Sequence, residues 1–414
     1  MYSEAGELLV GDAVVEGAAE YSCNRGAAEP HWDGSFLDER RFRLRQIRCE
    51  ARGDTVGGRD WLPTVVTPDI IEKAVSCVRL GACCGGLPYA VLRVSLPSAR
   101  SLLADMAALA FDFGQVAADW PVQDHYHTLK PGRAATNFGS YRELGLNKSL
   151  CRLCEEVWVV LCGGMPWHAA GTSQDALKPV AAVVAVDMEV ANIRAALGLP
   201  CGTFYADKKE AFDSTWREDM LVELYESAGV CGRLFLLADA LISSAKISVV
   251  RGGCRSSYVL PKVGVVEGRK LSPVQYCVSG AHMEDALPCS VLAVGVNPPT
   301  LAVAAYHCTK DGSSGAVFDP GGAASWAELG AGGDLPWTTI MAQLPSDTMR
   351  LAVLDAASSV RVGLRMFVDD SRHTVASHGH AENVAARMDE VAAKRRCAYK
   401  FGAGKTEIAA TGLP

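Results

Sequence analysis

No apolar run in this chain of 414 residues approaches the roughly 18 to 20 needed to cross a bilayer. The longest, such as Val180 to Val186 and Val157 to Cys162, stop far short, so a soluble chain without membrane contact is expected. Nor is there an excess of positive charge. Lys and Arg total 40 against 47 Asp and Glu, and the net charge of −7 excludes a global field of the kind that condenses onto nucleic acid. Any nucleic-acid contact must be local. The first residues carry Glu4, Glu7 and Asp12 rather than a basic cluster before an apolar stretch, which predicts no secretory or transit leader. A disulfide framework is missing too. The 15 cysteines are odd in number and scattered, which points to a reducing intracellular compartment, nucleus or cytoplasm. Cys151 and Cys154 form the one CxxC, with no second pair at zinc-ribbon spacing, and read as buried thiols.

What is present is apolar mass: 49% of the residues are hydrophobic, enough for one large core or two to three smaller ones. Residues 1–61 read as a variable, peripheral N-terminal extension. Its one helix signal starts at Ser35 and carries Arg40, Arg41, Arg43, Arg45, Arg48 and Arg52, interspersed with Asp38, Glu39 and Glu50. That pattern predicts a solvated helix face and at most a weak contact to RNA. Thr67 followed by Pro68 predicts a capped helix start, with Ile70, Ile71, Ala74, Val75 and Val78 at helical spacing. Leu102, Leu103, Met106, Leu109 and Ala110 predict a second apolar helix face, and Leu146, Leu150, Leu153, Val157 and Val160 a third. Val180 to Val186 reads as either a strand or a buried helix segment. The Gly- and Pro-rich stretch at about 286–355, with Pro298-Pro299 and Gly330 to Gly333, predicts a loop-rich insertion.

Two places put carboxylates where strands end. Thr203 to Ala206 reads as a strand running into Asp207, followed by a helical stripe of Phe212, Trp216, Met220, Leu221, Leu224, Tyr225 and Ala228 that ends at Gly229. Further along, Val360, Val362, Leu364, Met366 and Val368 alternate, Asp369 and Asp370 interrupt, and Thr374 to Ala376 resume. This predicts a β-hairpin with two acids at its tip. Acids in a cleft are costly unless something positive neutralises them. If the two sites lie side by side, their oxygens suit two hard cations and phosphoryl-transfer chemistry, with surface turn acids as the alternative. Gly402 to Thr406 (GAGKT) lacks the first glycine of a phosphate-binding loop, and His373, His378 and His380 fit no familiar zinc spacing and read as a flexible turn.

The residues around these acids carry a resemblance. FYADKKEAFDSTW (204–216) resembles motif A of reverse transcriptases of the non-LTR retrotransposon and group II intron type, GVVEGRKLSP (264–273) motif B, and MFVDDS (366–371) motif C. Asn383 to Thr406 is similar to the motif D helix with its trailing lysine, and residues 66–88 and 129–146 are similar to the fingers segments that precede motif A. The order of the motifs is more specific than any one of them. The resemblance implies an α+β right-hand polymerase: fingers over 62–180 and a palm over 181–414, with an antiparallel palm sheet packed on helices; no thumb is expected, itself a departure from the resembled pattern. It implies RNA-directed DNA synthesis with Mg²⁺ (two ions, or Mn²⁺), an RNA template, a DNA primer and deoxynucleoside triphosphates. Residue by residue, Asp207, Asp369 and Asp370 become the metal-binding catalytic acids, with the Lys208 carbonyl as a further ligand. Phe212 lies under the incoming sugar, Lys130 and Arg142 grip the triphosphate, Gly268 permits close backbone approach, and Lys405 protonates the leaving pyrophosphate. Three departures stand out. Glu267 occupies a substrate-binding position usually held by Gln, Arg142-Glu143-Leu144 replaces Arg-Pro-Ile, and the gap between motifs B and C is long. They support the alternative of a catalytically decayed remnant that acts at most as an RNA-binding module.

Overall fold

The structure is a computed structural model and describes residues 8–24, 34–56, 66–78, 88–94, 97–162, 201–208, 211–261, 263–265, 269–274, 276–278, 365–367, 370–375, 378–394, 399 and 407–411. The possible strand at 180–186 and the insertion at 286–355 lie outside them. In chain order the elements are α1 (Asp12–Asn24), α2 (Gly34–Val56), α3 (Pro68–Cys77), α4 (Tyr89–Arg93), α5 (Pro97–Phe113), β1 (Val122–Leu129), β2 (Tyr141–Asn147), α6 (Ser149–Cys162) and β3 (Cys201–Asp207). Then come α7 (Arg217–Glu226), α8 (Gly232–Ser243), β4 (Lys246–Arg251), β5 (Cys254–Arg255), β6 (Arg365–Phe367), β7 (Asp370–Val375), α9 (His378–Lys394) and β8 (Glu407–Thr411). The chain is α+β and divides into two compact units.

The first unit comprises Met1–Ala169, Glu210–Ser279 and Ala393–Cys397. Its sheet has the order β2-β1-β4-β5 and is mixed: β1 runs parallel to β4, and the other pairs are antiparallel. Helix α1 packs on β4 and β5 through Val15, Ala18 and Ala19, which meet Phe138 and Val249. The Thr67 cap forms as the sequence predicts, accepting from Ile70 N at 3.4 Å with Pro68 at the first position. Helix α5 turns a different face inward. Ala110 is buried as expected, but Leu102 and Leu109 are 61% and 55% exposed, and Ala104, Ala107 and Phe111 complete the buried face. α5 packs on α3 and α8, and small side chains on that face let neighbouring backbones approach.

The described residues of the N-terminal extension are not peripheral. Helix α2 buries Leu37, Leu44, Ile47 and Ala51 and packs on α7 and α8. Leu37 joins Trp216 and Val263 in a buried cluster. Of its six arginines Arg41, Arg45 and Arg52 are exposed, as a solvated face requires, but Arg40, Arg43 and Arg48 are partly buried and paired. Arg40 Nε lies 2.8 Å from Asp219 and its Nη2 2.6 Å from Glu223; Arg43 pairs with Glu226 and Glu50, and Arg48 with Asp239. Acids on α7 and α8 thus neutralise much of what looks in sequence like a cationic strip.

The second unit comprises Ala170–Lys209, Gly280–Ala392 and Ala398–Pro414. Its sheet is antiparallel throughout the described pairs, in the order β6-β7-β3-β8. Helix α9 buries Ala381, Val384, Met388 and Val391 at helical spacing. It begins at His378, so that histidine and His380 open a helix rather than sit in a flexible turn.

Candidate active site

Strand β3 alternates. Gly202, Phe204, Ala206 and Lys208 are buried, and Thr203, Tyr205 and Asp207 are half-buried on the other face. That is the period-two pattern of a strand with one face in the core. It leaves Asp207 as the last strand residue on the less buried face. β7 lies beside β3 with the register Gly202↔Val375, Phe204↔His373 and Asp207↔Asp370. β6 pairs with β7 on its other side, Phe367 opposite Asp370 and Arg365 opposite Arg372. Phe367, Asp370 and Asp207 therefore form one row across three strands. Two stretches separated by more than 150 residues of sequence thus lie side by side, with Asp207 in register with Asp370. One detail differs. Asp370 opens β7 rather than interrupting it, because β3 pairs with this strand from Asp370 to Val375 and carries the polar Asp-Ser-Arg-His run inside the sheet.

Asp369 lies outside the described residues, as do Glu267, Gly268 and Lys405. Among the described residues no group of three or more His, Cys, Asp or Glu comes together. The described oxygen donors of the row are Asp207 and Asp370. Lys208, whose carbonyl the resemblance offers as a further ligand, is buried and forms an isolated antiparallel bridge with Tyr399. Its Nζ lies 5.9 Å from the Tyr399 ring centroid. Arg372 is the residue that strand-by-strand reading missed: it stands two positions from Asp370 in β7, opposite Tyr205, and so occupies the same alternating set as the acids. Its signal was the period-two spacing. After the GAGKT stretch comes β8, a strand paired with β3, where a phosphate-binding loop requires a helix.

The other candidates belong to the first unit. Lys130 and Arg142 come together at one end of the β1–β2 pair, where Leu129 faces Tyr141 and Thr128 faces Arg142. Arg142 is exposed, and Lys130 Nζ donates to Gly139 O at 3.1 Å. Glu143 stands where the resembled pattern has proline. It is buried, accepts from Ser22 Oγ at 2.7 Å and lies 3.0 Å from His125 Nδ1, so this departure ties α1 to the sheet.

Phe212 is not on a helix, contrary to the stripe read from the sequence. Residues 211–214 form turns, and α7 starts at Arg217. The Phe212 carbonyl, which a helix would pair with Trp216, instead accepts from Val265 N at 2.8 Å, and Thr215 O accepts from Gly264 N at 2.9 Å. Motif A's trailing residues are thereby laced to the start of motif B. Gly264 permits it: its φ is +92°, and a Cβ there would lie 2.8 Å from Asp213 O. The Phe212 ring tilts against Tyr276 with centroids 5.0 Å apart.

Behind motif B lies a buried charge network that sequence reading passed over. Glu155 Oε2 accepts from Lys270 N at 2.9 Å and Asn147 Nδ2 at 3.1 Å, and Glu155 Oε1 lies 2.9 Å from Arg269 Nε. Desolvation works against the Arg269 charge, but Cys151 and Glu155 beside it hold its pKa above the ordinary value. The available signal was Glu155-Glu156 inside an apolar helix, since buried acids need partners.

No protein-family model matches the chain. Over 95 residues, 23% of its length, it is 32% identical to the RNA-directed DNA polymerase from mobile element jockey of Drosophila funebris. The matched stretch is 10% of that protein, so the likeness to a retroelement reverse transcriptase is distant and partial.

Proposed function

We propose that the chain carries the nucleotidyl-transfer core of a retrotransposon-like reverse transcriptase, extending a DNA primer on an RNA template. The observation that carries this reading is the register of Asp207 with Asp370. Directly opposed residues of an antiparallel pair share a face, and like charges there are destabilising unless a cation compensates. Carboxylates with substrate phosphates are the usual donor set of Mg²⁺, and these two acids fit it. Bound there, Mg²⁺ would supply charge neutralisation for an in-line phosphoryl transfer.

In that transfer the primer 3′-oxygen forms a bond to the α-phosphorus, its proton is lost, and the bond to pyrophosphate breaks. Asp207, Asp369 and Asp370 supply the negative donors. Lys130 and Arg142 bind the triphosphate oxygens, a role their shared position at one end of β1–β2 supports. Phe212 restricts the sugar to the deoxy form, and Lys405 gives its proton to the departing pyrophosphate. The sheet around β3 is then the palm.

The test is primer extension on an RNA template with Mg²⁺, run beside Asp370→Asn. The expected outcome is Mg²⁺-dependent product from the parent and a loss of at least about a hundredfold in the variant, since electrostatic stabilisers of transfer are worth that much or more. Absence of product from the folded parent, or equal product from both, would overturn the reading. Glu267 favours the second reading, a decayed remnant, because it places a negative charge where the resembled pattern has Gln. If that charge is what impairs the site, Glu267→Gln raises extension in the same assay.

A further inference from the structure

A cleft of about 370 Å³ opens in the first unit where α2 meets α7 and α8. That is the size of a small-molecule site, about 300–1,000 Å³. Arg41, Arg45, Arg48 and Arg217 line it, with Leu221 and Leu260 among its apolar walls and Glu218 the one acid among the described lining residues.

Two of the four cations are already compensated. Arg48 makes a two-pronged pair with Asp239, both contacts 2.7 Å, and Arg41 Nε lies 3.2 Å from Glu218. Among the described residues the other two have no carboxylate within hydrogen-bond reach. Arg45 is exposed and holds its guanidinium 5.7 Å from the Phe42 ring centroid, with no carboxylate partner among the described residues. Arg217 is 8% exposed. Its Nε donates to Gly264 O at 2.7 Å and its Nη1 to Ile242 O at 3.5 Å, both neutral carbonyls, and its Nη2 has no partner. Burial, followed by repulsion from Arg269, pushes the Arg217 pKa down to about 10 against the attraction of neighbouring Glu218, so it stays charged at neutral pH. A desolvated guanidinium with no anion hydrogen-bonded to it is costly, and a second cation without a carboxylate contact in the same cleft adds to that cost.

We infer that this cleft is a phosphate-binding site, taking a phosphate group on the Arg45 and Arg217 guanidiniums. Planar guanidinium forks match phosphate oxygens, and a group carrying about two negative charges balances two unpaired cations where a single carboxylate would not. All of its residues belong to the first unit, so the site is independent of the acid row in the second. The phosphate belongs either to an RNA backbone or to a free phosphate compound.

The probes are inorganic pyrophosphate, followed by calorimetry on the full chain without divalent metal, and a fluorescein-labelled 12-nucleotide oligo(U), followed by anisotropy. Arg45→Gln should weaken pyrophosphate binding by about tenfold, as loss of a charge-assisted hydrogen bond does. Arg52→Gln, on the same helix but not lining the cleft, should leave it unchanged. Arg45→Lys, which keeps the charge but not the planar fork, is the second variant should Arg45→Gln fail to fold. Oligo(U) binding that also falls in Arg45→Gln and is displaced by pyrophosphate identifies RNA as the source. Oligo(U) binding indifferent to Arg45→Gln identifies a free phosphate compound. Failure of pyrophosphate to bind, or equal affinities in the Arg45 and Arg52 variants, overturns the site.

Discussion

Glu155 and Arg269 form an ion pair sealed from solvent, with Nε and Oε1 2.9 Å apart and side chains 0% and 5% exposed. The two are not aligned for a hydrogen bond with each other. Instead Arg269 Nη1 donates to Leu241 O at 2.7 Å, Nη2 reaches Cys151 Sγ at 3.2 Å, and the second Glu155 oxygen holds Asn147 and Lys270. Four pieces of the first unit, β2, α6, α8 and the motif B segment, therefore share one buried charge network.

Removing one partner strands the other. Glu155→Ala should lower the unfolding free energy by about 3–5 kcal/mol, the usual consequence of leaving a buried charge unpaired. Urea titration followed by circular dichroism measures it, and a loss below about 1 kcal/mol would show the pair to be dispensable.

Gly264 and Gly253 provide a matched comparison. Both have positive φ, +92° and +85°, but only Gly264 has backbone within 3 Å of a would-be Cβ, whereas Gly253 has nothing within 4 Å. Gly253→Ala should therefore cost only the backbone penalty, about 1–2 kcal/mol. Gly264→Ala must also push the Asp213 turn aside and should cost more. Equal shifts in denaturation midpoint would contradict the lacing of residues 212–215 to 264–265.

Arg40 should anchor α2. It is largely buried between Asp219 and Glu223, so Arg40→Ala leaves two acids close together and should destabilise by roughly 3–5 kcal/mol. Arg52→Ala, at an exposed position, should stay within about 0.5 kcal/mol. A thermal melt that does not separate the two variants would make α2 an appendage after all.

Thiol chemistry reports the α6 core. Cys49 and Cys77 are exposed and should be alkylated in the native protein, while Cys151, Cys154 and Cys162 should react only on unfolding. Burial raises the Cys151 thiol from 9.0 to about 11 and also raises Cys154 and Cys162. Because the folded state holds these protons longer than the unfolded one, their contribution is intact below pH 9 and falls as the pH rises from 9 toward 11. Peptide mass mapping after iodoacetamide, and denaturation midpoints across that window, check both statements. Fast native labelling of Cys151 would mean the helix is not buried.

Local signals were legible where the chemistry is local. The Thr67-Pro68 helix start depends on one cap and one ring, and the strand into Asp207 on a run of alternating residues. Where a partner far along the chain decides, the reading failed. The α5 stripe of leucines faces outward because α3 and α8 approach its alanine side, and the helix expected from Phe212 stops short because residues 264–265 take its carbonyls. The arginines of α2 looked solvated because Asp219 and Glu223 lie in a helix that sequence reading did not bring to them; Arg40 and Glu223 are 183 positions apart.

Residue chemistry by itself determined that acids stand at two strand ends, that no apolar run spans a bilayer, and that six arginines ride one helix. Only the tertiary structure decided which charges meet. It set Asp207 opposite Asp370, buried Glu155 with Arg269, and matched Arg40, Arg41, Arg43 and Arg48 to carboxylates while giving Arg45 and Arg217 no carboxylate within hydrogen-bond reach among the described residues. The reason is physical: periodicity and capping act within a few residues, whereas pairing register and charge neutralisation depend on distances through space that the folded chain alone defines.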